Sequence, residues 1–242
     1  MTSDVHSRDA QTGPGEADDP AAREAAFSRE VERHLLRNYL AHLAHGLLGQ
    51  TGFQLLNAPT FLPAYVLMLS GGSDIAVGFV LSLQALGMLI TPMIGANLIE
   101  HRTRVLPVGF VTGGLMRGMV LLIALSGLVL PEQWALPAVA LFVLGFGLFM
   151  GMQGVIFNFL MSKVIPVSKR GRLTGLRNFL AGITSAVVAW IGGEFLIGDE
   201  PTIAGYSWTF MMAFVLTTTG LMTLLAMREP EPPTVRVATP LG

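Results

Sequence analysis

The chain has no cysteine in its 242 residues, which excludes disulfides and thiolate metal sites and leaves the redox compartment unreadable. Charge is scarce as well. Asp, Glu, Lys and Arg make up 13% of the residues, against about 25% in an ordinary soluble domain. Hydrophobic residues account for 52%, and the mean hydropathy is +0.59. So little polar surface cannot cover a water-soluble globule of this size, and a membrane protein is the natural alternative. The net charge of -1 carries no message about nucleic acid, because the charges are segregated along the chain. No secretory signal is expected at the start: residues 1–27 hold Asp4, Asp9, Glu16, Asp18, Asp19 and Glu24 and no apolar core.

What is present is long apolar sequence between widely spaced cations. No Lys or Arg occurs between Arg37 and Arg102, between Arg117 and Lys163, or between Arg177 and Arg228. A membrane-crossing helix needs about 20 apolar residues, since the hydrocarbon is about 30 Å thick and each residue rises about 1.5 Å. The first and third gaps each hold two crossings. The middle gap, with the apolar run from Leu106, holds two more. Six spans are therefore expected, near 39–69, 75–98, 105–129, 134–161, 173–197 and 206–227 of an all-α membrane domain covering 29–228. Residues 1–28 and 229–242, the latter with Pro230, Pro232 and Pro233, read as disordered tails. An amphipathic helix over Ser28–Tyr39 is expected to lead into the first span.

The turns fall where this count needs them. "SGGSD" (70–74) offers Gly71 and Gly72 to end one helix and Ser73 or Asp74 to cap the next. "LPEQW" (130–134) and "GDEPTIAGYSW" (198–208) serve the later pairs, and these three turns hold acids but no cation. The opposite ends carry "EHRTR" (100–104), the basic-rich approach to Arg37, Arg228 and the cluster Lys169, Arg170, Arg172 and Arg177. The positive-inside rule then puts both termini and the basic loops on the cytoplasmic side.

Glycine and proline punctuate almost every span. In the fourth, Gly147 and Gly151 have the spacing that lets two backbones approach closely. Several six-span chemistries are excluded by missing residues. No Gly-x-Ser-Gly turn with a histidine on a later span exists for an intramembrane serine protease, and "NAPT" (57–60) is not the repeated Asn-Pro-Ala cap of a water channel. The three repeated signatures of a mitochondrial-type carrier are missing, and there is no phosphate-binding loop for an ATPase. No enzymatic activity, cofactor or metal is expected. His42 and His45 form an i, i+3 pair with no third ligand in sight.

"LPAYVLMLSGGSDIAVGFVLSLQALG" (62–87), "PMIGANLIEHRTRVLP" (92–107) and "VIPVSKRGRLTGLRNFLAG" (164–182) carry a resemblance over about residues 38–228. The chain resembles the N-terminal six-helix half of a major facilitator superfamily transporter. The resemblance implies a 3+3 inverted-repeat bundle. It also implies a gating loop after the second span with the pattern Gly-x-x-x-Asp-Arg/Lys-x-Gly-Arg/Lys-Arg/Lys. Gly95 matches, Glu100 stands in for the acid one place late, Arg102 and Arg104 supply cations, and the second glycine is missing. Together with Lys169, Arg170, Arg172 and Arg177 these residues are expected to serve gating, or topology alone. The fourth span lacks an arginine and the fifth lacks a glycine-proline antiporter motif, which leaves proton-coupled drug export without support.

Counted from the expected span ends, Gln54, Asn57, Gln84 and Arg117 lie about 14–22 Å deep. A charge there costs at least about 2.5–3.5 kcal/mol. Arg117 is expected either to tie helices together or to contact an anionic or carbonyl-bearing solute. Glu194, near the outer end of the fifth span, is too distant to pair with it. Gln50, Gln54 and Asn57 share one face of the first span, and Gln153 and Asn158 lie in the fourth. In the resembled family these two spans line the cavity, so these polar groups are candidates for solute contact, with interhelical bonding as the other role open to them.

Transporters of that superfamily usually have two six-helix halves. The expected function is therefore a half-size subunit moving an unidentified small solute by alternating access, surrounded by lipid, paired with a second copy or a separate half. The alternative is a non-transporting membrane interaction or assembly protein, or a truncated relative.

Overall fold

The computed structural model describes residues 20–57 and 61–231. Within them the helices are α1 (Pro20–Arg33), α2 (Leu35–Asn57), α3 (Phe61–Leu69), α4 (Asp74–Ile90), α5 (Pro92–Glu100), α6 (Leu106–Val129), α7 (Glu132–Val164), α8 (Val167–Ile191) and α9 (Ile203–Thr223). A π-helical turn, Gly192–Ile197, extends α8. In hydrocarbon every backbone N–H and C=O must be satisfied within its own segment, and a helix does this without a partner. Six helical stretches are long and apolar enough to cross a membrane: Leu35–Leu69, Asp74–Glu100, Leu106–Val129, Glu132–Val164, Val167–Ile197 and Ile203–Ala226.

Their number equals the number of crossings read from the charge gaps, and the differences lie at the ends. The fifth helix starts at Val167, not near 173, because Lys169, Arg170 and Arg172 form its first turns. Basic residues are good helix formers in water, so the helix continues where the hydropathy has already stopped. Likewise α1 begins at Pro20, earlier than the amphipathic segment expected from Ser28, and is exposed over most of its length. Of the expected C-terminal tail, Glu229–Glu231 are described; 1–19 and 232–242 lie outside the described residues.

Turn chemistry accounts for the hairpin at 70–74. Gly71 and Gly72 take φ of 64° and 94°, a left-handed backbone that favours glycine. The Ser73 hydroxyl then accepts from Ala76 N at 3.3 Å and caps α4. Thr202 caps α9 in the same way, accepting from Gly205 N at 3.0 Å.

The spans pack in the order fifth, first, sixth, third, fourth, second. This is an open arc in which each inner helix has two principal neighbours and each end helix has one. The end helices are accordingly the barest: 17% of the second span's apolar window and 11% of the fifth's are buried, against 28–57% for the other four. The pairings 1·5, 1·6, 2·4, 3·4 and 3·6 map onto themselves when spans 1, 2 and 3 are exchanged for 4, 5 and 6. Because three crossings separate each span from its counterpart, the counterparts run in opposite directions. The bundle is thus organised as two inverted three-helix repeats.

Lipid tails give no hydrophobic reward for helix association, so close backbone packing has to supply it. At the crossing of the second and fourth spans the glycines do this. A Cβ on Gly87 would come within 2.6 Å of Leu148 N, on Gly147 within 3.0 Å of Gln84 Cα, and on Gly95 within 2.9 Å of Met152 Cα. The Thr91 hydroxyl ties the same pair by donating to Leu148 O at 2.6 Å. Gly147→Val is expected to destabilise the purified protein by about 1–3 kcal/mol through overpacking. Gly114→Ala, where a Cβ meets open space, is expected to be neutral or to gain up to about 1 kcal/mol. Thermal denaturation in detergent, followed by size-exclusion chromatography, reads both.

Candidate functional site

Side chains from the first, third, fourth and fifth spans line an open cavity of about 300 Å³. That is the lower end of the range for small-molecule sites. Its polar lining comes from Gln50, Arg117, Gln153, Asn158, Arg177 and His45, while Phe53 and Phe157 supply apolar walls. None of the lining side chains among the described residues is a carboxylate.

Arg117 sits at the back of the cavity, 2% exposed. Its Nε donates to Thr217 O at 2.6 Å and its Nη1 to Gly113 O at 2.8 Å. The guanidinium carbon lies 5.2 Å from the centre of the Phe53 ring, within the range of a cation–π contact. Arg117 therefore does tie helices, bonding the third span to a carbonyl of the sixth, and it also borders the cavity. Gln153 is similarly anchored, donating from Nε2 to Gly109 O at 2.7 Å. Gln50 and Asn158 are exposed to the cavity and make no side-chain hydrogen bond among the described residues.

The remaining mid-span candidates lie apart from this group. Gln84 is buried where the second span crosses the fourth. Gln54 is exposed one turn beyond Gln50 and does not border the cavity. Asn57 ends α2, and its side chain lies outside the described residues. His42 and His45 share a face, as their spacing requires, but that face packs on Phe157 with ring centroids 4.2 and 4.9 Å apart. His45 Nδ1 lies 3.1 Å from Gly220 O, and no third metal-ligating side chain joins the two among the described residues. Glu194 is exposed in the π-helical turn.

The expected gating cations divide by position. Lys169 and Arg172 are exposed. Arg170 donates from Nε to Ile165 O at 2.8 Å and from Nη2 to Ser162 O at 2.6 Å, capping the C-terminus of the fourth span. Arg177, two turns further on, reaches the cavity. Of the expected loop motif, Gly95 lies within α5 and packs on Met152, Glu100 ends that helix and is exposed, Arg102 is exposed in the loop that follows, and Arg104 meets Glu231 at 3.0 Å on the surface.

The buried charge at this rim involves residues outside that loop. Lys163 and Glu229 form an ion pair at 2.7 Å with side chains 6% and 4% exposed. The Glu229 carboxylate also accepts from Val105 N at 2.7 Å and Leu106 N at 2.8 Å, at the start of the third span, where a helix favours negative charge. Lys163 donates in addition to Thr103 O. Beside it, Asn38 exchanges two hydrogen bonds with the Arg228 backbone, both 2.8 Å, so the two ends of the described bundle meet at one rim.

The family model described as Major Facilitator Superfamily matches residues 18–240. No curated protein and no solved structure matches the chain.

Glu229→Gln leaves the Lys163 ammonium buried without its counter-charge, and a loss of about 3–5 kcal/mol is expected. The double variant Lys163→Met/Glu229→Gln is expected to lose less than Glu229→Gln alone. Arg104→Ala, which breaks only the surface pair, is expected to lose at most about 1 kcal/mol. A double-mutant cycle on melting temperatures in detergent checks all three.

Proposed function

Since the chain belongs to the major facilitator superfamily, we propose that this integral membrane protein of transporter type is a half-size subunit that moves a small solute by alternating access. The observation that carries the reading is the cavity lined by the first, third, fourth and fifth spans, with Gln50 and Asn158 bordering it without hydrogen-bond partners among the described residues. Amides left unpaired in a span are costly in lipid but suited to a hydrated path or to a solute. Gln50 and Asn158 are the solute contacts in this reading. Arg117 and Gln153 hold the wall in place, and Gln54, Asn57 and Gln84 serve packing or the approach.

The bare ends of the arc support a second six-helix half. Exposed apolar side chains run along the second span, including Ile75, Phe79 and Leu89, and along the fifth, including Phe179, Ile183 and Trp190. A second copy related by a twofold axis along the membrane normal would bring the second span of each against the fifth of the other, a self-complementary closure. Another six-helix polypeptide segment could close the arc in the same way. The basic rim faces the cytoplasm in this reading, by the positive-inside rule.

The cysteine-free sequence makes the test direct. Gln50→Cys and Asn158→Cys are expected to react with a water-soluble maleimide, with a rate that shifts between the two sides of the membrane when a transported solute is added. Phe179→Cys, on the apolar outer face, is expected to stay unlabelled. Native mass spectrometry in mild detergent is expected to give a dimer or a complex with a second six-helix chain. A strict monomer with both cavity cysteines unreactive would leave only a non-transporting interaction protein.

A further inference from the structure

Two guanidinium groups border the cavity without a carboxylate on its lining among the described residues. Their geometry indicates that both attend the same stretch of the first span. The Arg177 stem lies against Gly46, where a Cβ would come within 3.2 Å of Cγ and closer still to Cδ. Arg117 Nη2 lies 3.9 Å from the place a Cβ would occupy on Gly49. Gly46 and Gly49 are one helical turn apart, a rise of about 4.5 Å, and both line the cavity.

Neither guanidinium is saturated. Of the five N–H donors in such a group, Arg117 commits one on Nε and one on Nη1 to backbone carbonyls, and its Nη2 has no acceptor among the described residues. Among the described residues Arg177 donates only to the amide oxygen of neighbouring Asn178, from Nε and Nη2, at a long 3.3 Å. Two like charges on one cavity lining, with free donors and no carboxylate beside them among the described lining residues, are matched by a bound anion. Carboxylate and phosphate fit best, because their paired oxygens complement the guanidinium fork. Phe53, already stacked under Arg117, and Phe157 offer flat walls for an apolar body. A cationic solute would be repelled, and a neutral sugar would leave both charges uncompensated.

We propose that the cavity binds a small soluble organic anion, its carboxylate or phosphate held between Arg117 and Arg177 and its apolar part against Phe53 and Phe157. This deepens the transport reading by giving the class of solute, and it rests on this cavity being the solute site.

The test uses four probes of one shape and different charge: benzoate, phenyl phosphate, benzamide and benzylammonium. Each is titrated calorimetrically against the full chain in nanodiscs of neutral phosphatidylcholine. At least one anion is expected to bind tenfold or more tightly than benzamide, with benzylammonium weakest. Arg177→Gln is expected to lower anion affinity at least tenfold and leave benzamide unchanged, while Arg177→Lys keeps part of the preference. Melting curves of both variants confirm that they are folded. Equal or tighter binding of benzylammonium, no binding of either anion, or an anion affinity unchanged in Arg177→Gln would overturn the assignment. Nanodiscs containing phosphatidylglycerol form the second arm: displacement of the anion there assigns the site to a lipid headgroup and overturns the soluble-solute proposal. Anion selectivity in a chain that proves monomeric, with unreactive cavity cysteines, would retain this proposal while removing the transport reading.

Discussion

A polypeptide in hydrocarbon has to close its own backbone hydrogen bonds, and its helices gain nothing from hiding apolar side chains from lipid that is equally apolar. Most of this architecture follows from that constraint. The spans are helices because no other unpaired element survives there. They hold together where side chains are absent, so that Gly87 of the second span and Gly147 of the fourth bring main chains into contact. Hydroxyls such as Thr91 add a bond across the same crossing. An arc with two bare ends persists for the same reason: exposed Phe79 or Phe179 costs little beside acyl chains.

Charge is expensive under this constraint, and each cation has a distinct resolution. Lys169 and Arg172 are exposed. Arg170 spends its donors on the carbonyls that end the fourth span. Lys163 is buried but neutralised by Glu229, which is itself held by two helix-start amides. Arg117 leans on carbonyls and a ring. Among the described residues, Arg117 and Arg177 are the two cations that border the cavity, and both keep donors to spare.

The crossings were legible in the sequence because bilayer thickness converts directly into residues between charges, and turns such as 70–74 because a left-handed backbone selects glycine. The Gly147–Gly151 spacing likewise announced a close crossing. Neighbour choice was not legible, since depth along a helix says nothing about which helix lies opposite. Gln84 and Gln153 are both mid-span amides, yet one is buried at the end of the arc and the other borders the cavity. Gln54 shares a face with Gln50 but lies beyond the cavity's reach. Arg177 reads as a rim cation by proximity to Lys169, but ten helical residues from Val167 carry it about 15 Å inward. Glu229 looked like the start of a tail because its partners are 66 and 124 positions away in the chain.

The Glu229 carboxylate has a mechanical consequence. One side chain joins the end of the fourth span, the start of the third and the exit of the sixth, so none of these can slide past another without stranding a charge in a dry place. Any shift of one of these helix ends relative to the other two would have to break the ion pair or one of the two amide bonds that the carboxylate holds.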